Sequence, residues 1–152
     1  MFAALIMLAA LSGPPDQAMA HRGATVMGFD QEKTAHHFRL YADGGAIEVA
    51  VRESSDTKDR DAIRSHLPHI AMMFGDGNFD APMLVHDSAN VPGTNVMAAR
   101  KNMITYRYED SPAGGRVSIT TTDPDALAAV HQFLRYQIAE HKTGDPTVPQ
   151  ER

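Results

Sequence analysis

The sequence predicts an α+β domain of two ββα units, giving a four-stranded antiparallel sheet with two helices on one face. Three observations lead there. The order strand, Gly-Gly, strand, acidic loop, helix runs from His36 to Phe74 and again from Ile104 to His141. Each Gly pair is followed by an alternating segment, Ala46 to Val51 and Arg116 to Thr121, as a half-buried strand requires. Both helical segments then open on similar words, Asp59-Arg60-Asp61-Ala62-Ile63 and Asp123-Pro124-Asp125-Ala126-Leu127.

Taken in order, residues 1–20 read as an export signal. Phe2 to Leu11 is almost wholly apolar, Gly13-Pro14-Pro15 breaks a helix, and Ala18 and Ala20 occupy the two positions a signal peptidase reads. The apolar run falls short of the roughly 20 residues a bilayer span needs, and no Lys or Arg precedes it. Cleavage after Ala20 would start a single domain at His21, running over 21–142, in the periplasm or the medium. A first strand carries His36 to Tyr41 into a hairpin turn at Asp43-Gly44-Gly45, where glycine supplies positive φ. The first helix buries Ile63, Leu67, Ile70 and Phe74, and Pro68 inside it should kink it near Arg64 or divide it.

Residues 75–101 read as a long ordered loop with a short helix from Asn95 to Lys101. The second hairpin turns at Ala113-Gly114-Gly115. Asp123 then caps the last helix, Pro124 sits at its first position, and Leu127, Val130, Leu134 and Ile138 form its buried stripe. The polar segment 143–152, with two prolines, is expected to be disordered.

Composition narrows the partners. The chain has 14 Lys and Arg against 19 Asp and Glu, a net charge of −5, and no basic run, which argues against nucleic acid and anionic lipid. With no cysteine, disulfides, thiolate zinc sites and covalent haem attachment all fall away. A metal site must draw on the eight histidines, on carboxylates, on methionine or on a terminal amine. No Gly-x-Ser-x-Gly elbow, His-Glu-x-x-His helix, phosphate loop or dinucleotide fingerprint occurs.

Strand alternation sends His36 inward with Phe38 and Leu40 and His37 outward with Arg39 and Tyr41. On the first helix His66, His69 and Met73 lie three and four residues apart and share a face. On the last helix His131 and His141 both lie on the buried stripe, but about 15 Å of helical rise keeps them from sharing an ion. The expected copper or zinc site therefore joins His36, His66, His69 and His131. Secondary candidates are His21 with the free amine created by cleavage, His37, Met73, and His86 beside Asp87. Each also has an ordinary structural reading. A His-x-x-His pair on an amphipathic helix is common without metal, His131 suits a hydrogen-bonded core position, His141 suits the helix C-terminus ahead of Gly144, and Met72 and Met73 suit core packing.

Met27-Gly28-Phe29-Asp30-Gln31, with His36-His37-Phe38 after it and Val130-His131-Gln132-Phe133-Leu134 further on, resembles a group of small exported bacterial proteins. The resemblance covers most of the chain after the leader and implies a stand-alone secreted domain, with no activity and no catalytic residue attached. The expected function is an exported copper- or zinc-binding protein acting as carrier, buffer or sensor. One alternative is a metal-free interaction or homo-oligomerisation module presenting the sheet face that carries Thr105, Arg107, Ser118 and Thr120. Another is a metal-dependent hydrolase with Asp61 as base.

Overall fold

The computed structural model describes residues 15–152. Residues 1–14, which hold most of the expected leader, lie outside the described residues. The elements run α1 (Pro15–Met27), β1 (Thr34–Tyr41), β2 (Gly44–Val51), α2 (Thr57–Gly75), α3 (Asp80–His86), α4 (Thr94–Ala99), a short 3-10 turn (Lys101–Met103), β3 (Ile104–Ser111), β4 (Gly114–Thr121) and α5 (Pro124–His141). The four strands form one antiparallel sheet in the order β1-β2-β4-β3. Among the described residues no helix is long and apolar enough to cross a membrane.

The internal echo in the sequence becomes a near two-fold relation. Strands of the second unit lie 70 residues after those of the first, Thr34–Tyr41 with Ile104–Ser111 and Gly44–Val51 with Gly114–Thr121. The central β2–β4 register is symmetric about Ile47 opposite Val117, with Gly45 opposite Ile119 and Val49 opposite Gly115. These residues share one face, because side chains alternate along a strand. α2 and α5 both cover it: Leu67 of α2 reaches Gly115, and Leu134 of α5 reaches Gly45. Ile47, Val49, Val117 and Ile119 are buried beneath Ile63, Leu67, Ile70, Phe74, Phe133, Leu134 and Ile138.

The glycine pairs act differently from the turn role expected of them. Tyr41 pairs with Gly44 and Ser111 with Gly114, so the two-residue turns are Ala42-Asp43 and Pro112-Ala113, and each Gly pair begins the following strand. Their reason is close approach. A Cβ on Gly45 would collide with the Arg39 carbonyl and with Leu134 Cδ1, and one on Gly115 would stand 2.7 Å from the Tyr108 ring. Bare backbone there lets each helix settle onto the sheet.

α2 starts where Asp56 accepts a bond from the Asp59 N–H at 3.1 Å, and it runs through Pro68 undivided. α5 starts as expected, with Asp123 accepting from the Ala126 N–H at 2.8 Å and Pro124 following. The 75–101 segment contains a helix beyond the one expected near 95–101, α3, whose Ala81, Pro82 and Val85 are buried. α1 lies across the expected cleavage site. It runs unbroken through Ala18, Ala20 and His21, and Arg22 Nε donates to the Val85 carbonyl at 2.9 Å, tying α1 to α3.

Residues 143–152, expected to be disordered, are ordered along the edge strand β1. Asp145 is 9% exposed and accepts from the Phe38 N–H at 3.0 Å, from His37 Nδ1 at 2.9 Å and from Arg39 Nη1 at 3.0 Å. Further along, the Gln150 N–H donates to the Leu40 carbonyl at 2.8 Å, and Thr147 accepts from Arg135 Nε at 2.8 Å. A polar, Pro-containing composition predicts disorder only when the segment has no open edge to pair with; here the edge of β1 provides one.

Candidate metal centre

Four histidines from four elements meet where α3 and the last turn of α5 close over the β1 end of the helical layer. β1 turns His36 to the helical side, opposite Val49. α2 contributes His66, next to its buried Leu67; α3 ends on His86; α5 ends on His141, four residues beyond buried Gln137. The four side chains border one cavity of about 70 Å³, otherwise walled by apolar groups including Met27, Phe38, Val49, Leu67, Phe74 and Phe133. Gln137 also lines it, and among the described residues no Asp, Glu, Lys or Arg does. That volume suits an ion with its ligands or a few waters.

The rings form a chain. His141 stacks on His36 with centroids 5.6 Å apart and planes at 18°, and it meets His86 edge-on at 5.1 Å. Phe29 touches both His36 and His66 at 6.0 Å. His36 and His141 also line a second, polar cleft of about 410 Å³ on the other side, with Glu140, Arg52 and His37. The stacked pair thus borders both the cleft and the apolar cavity.

Hydrogen bonding leaves ring nitrogens of the cavity unused. His86 Nε2 lies 2.9 Å from Gln137 Oε1, so that nitrogen carries the proton and Nδ1 keeps a bare lone pair. Among the described residues, His36 Nε2, His66 Nε2, His86 Nδ1 and Gln137 Nε2 are all buried without a hydrogen-bond partner. Buried polar atoms are nearly always satisfied, and four orphans around one cavity are an exception calling for a cause.

Burial also keeps the rings neutral. It lowers His36 to about 4, helped by His37, Arg52 and His66, and it lowers His66 to about 4, helped by His69. His141 falls to about 3, from burial first and then from His36 and His86. His86 is lowered by burial, with the bond to Gln137 and the charge of Glu140 acting the other way. Neutral imidazoles are the form that binds metals.

The other expected ligands lie elsewhere. His131 is buried near the middle of α5, ten residues before His141, its Nε2 donating to the Tyr41 carbonyl at 2.8 Å and the Gly44 carbonyl at 3.0 Å, the role of a satisfied core histidine. His69 is exposed, as is Met72, and Met73 packs against the core outside the cavity lining. His37 faces outward and is engaged by Asp145. His21 is exposed on α1. Asp61 is 67% exposed, pairs with Arg60 at 3.3 Å and does not line the cavity.

Of the four residues first expected to share an ion, the fold brings His36 and His66 to one cavity. It adds His86 and His141 in place of His69 and His131. His141 was legible as a buried-stripe residue, but its partners come from β1 and α3, and nothing in local spacing announces them. Among the described residues no three His, Asp or Glu side chains stand converged on a single ion position. No family model, curated protein or solved structure matches the chain.

Proposed function

We propose that this is an exported metal-binding protein, a carrier, buffer or sensor, that holds a copper or zinc ion with histidines of the cavity bordered by His36, His66, His86 and His141. The observation that supports it is the set of three buried imidazole nitrogens, on three different elements, that border one apolar cavity and have no hydrogen-bond partner. An ion bound there gives those lone pairs a partner. The polar cleft behind His36 and His141 supplies an entry path. The hydrolase alternative needs Asp61 as base, and Asp61 does not line the cavity, so carriage or sensing suits it better.

Elemental analysis of untagged protein isolated from the periplasm tests this. Stoichiometric copper or zinc that disappears in the His36→Ala/His141→Ala double variant, while His69→Ala retains it, is the expected result. Metal-free wild type that also binds neither ion on titration would overturn it.

A further inference from the structure

We propose that β3 pairs, antiparallel and centred on Tyr108, with β3 of a second copy of this chain, so that the two sheets run on as one. The metal reading is independent of this pairing, since the cavity borders β1, at the opposite edge of the sheet. The two edges differ. Asp145 and Gln150 of the C-terminal segment take up backbone groups of β1, whereas among the described residues no segment pairs with the outer side of β3. An uncovered edge of eight residues is a template for another strand.

The hairpin fixes which groups point outward. Ser111 and Gly114 close a two-residue turn, and from there hydrogen-bonded and open pairs alternate along the ladder. Ser111, Glu109, Arg107 and Thr105 therefore bond to β4, and the backbone N–H and C=O groups of Tyr106, Tyr108 and Asp110 point away from it. A second β3 meets those groups with its own, so only registers that set Tyr106, Tyr108 and Asp110 opposite one another are open to it.

Charge selects among those registers. The face turned away from the helices carries Arg107 and Glu109, both exposed. With Tyr108 opposite Tyr108 of the second copy, Arg107 of each chain stands opposite Glu109 of the other, at the closer, non-hydrogen-bonded spacing. A slip of two residues one way sets Arg107 against Arg107, and the other way Glu109 against Glu109; like charges directly opposite are unfavourable. Charges that guard an edge against chance pairing thus admit this register over its neighbours. On the helical side, where Tyr108 lies against Gly115, the same register sets Tyr108 beside its copy as an aromatic cross-strand pair. It also brings exposed Met103, just before β3, opposite Ala113 in the turn of the second copy.

Sedimentation velocity of the full chain over a rising concentration series tests this, with variants confined to exposed side chains. Wild type should pass from monomer to dimer. Arg107→Glu and Glu109→Arg should each weaken the dimer roughly tenfold or more, because each sets like charges opposite at both symmetric positions. The double variant Arg107→Glu/Glu109→Arg restores opposite charges and should regain the dimer. The two single variants, mixed, should pair with each other more tightly than either pairs with itself, and circular dichroism of every variant should stay that of wild type. A wild type that stays monomeric throughout, or a dimer that neither single change weakens, would overturn the pairing. A dimer weakened by both single changes and not regained in the double variant would overturn the register centred on Tyr108.

Discussion

His36, His66 and His141 take up protons in the folded chain only near pH 4, 4 and 3, burial being the first cause for each. In the unfolded chain the same imidazoles titrate near 6.5. Folding therefore excludes protons that the unfolded state accepts, and stability falls wherever the unfolded state binds more of them. The sign is fixed by that difference: stability from these groups is complete above pH 6.5 and drains away as pH falls from about 6.5 to about 4. Urea unfolding of metal-free protein at pH 7.5, 6 and 5 should show this decline with an uptake of about three protons on unfolding, and His141→Phe should remove about one of them. A stability that stays level across the window would show that the rings are solvated rather than buried. Asp145 works in the acid range below. Burial pushes its carboxyl up, but bonds from Thr143, the Phe38 N–H and His37 outweigh that and hold it below the usual value.

At the scale of elements, the two helices and the C-terminal segment each depend on a contact that can be removed singly. Leu134 is fully buried and meets Gly45 where α5 crosses the sheet. Leu134→Ala should cost about 2 to 5 kcal/mol, as large-to-small core changes do, measured as a lowered midpoint with unchanged denaturant slope. Asp145 joins three donors of β1 to the C-terminal segment. Asp145→Ala should cost about 1 to 3 kcal/mol, since it strands the Phe38 N–H and removes an acceptor from His37 and Arg39, and should expose the Phe38 amide to rapid hydrogen exchange. Slow exchange at Phe38 in that variant would mean that the segment is held by Gln150 and Thr147 without Asp145.

The strands, the two long helices and their caps were legible because local signals suffice there: alternation, a heptad-like stripe, Asp123-Pro124. Local signals mislead where the reason is tertiary. Gly44-Gly45 and Gly114-Gly115 look like turn glycines, and only the crossing of Leu134 and Leu67 over them shows that they are needed for close packing. The segment 143–152 looks unstructured because its partner, the edge of β1, lies more than 100 residues earlier.

For the molecule as a whole, two ββα units related by a near two-fold build the sheet, and the site lies where both units meet α3. α1 and α3 have no counterparts in the second unit, and His86 lies on one of them. His36 and His66 belong to the first unit and His141 to the second, so the cavity exists only when both units dock. That is why half the cluster could be named from sequence: the inward phase of His36 and the helix face of His66 are local, while their meeting with His86 and His141 is set by how α3 and α5 close over β1.

The metal-binding claim is tested most directly by diffraction from crystals soaked with one equivalent of copper under reducing conditions, with data collected on both sides of the copper edge. The account predicts a single anomalous peak inside the cavity, within bonding reach of ring nitrogens of His141 and of His36 or His86. A peak at His21, His69 or the outer sheet face, or no peak at one equivalent, would contradict it.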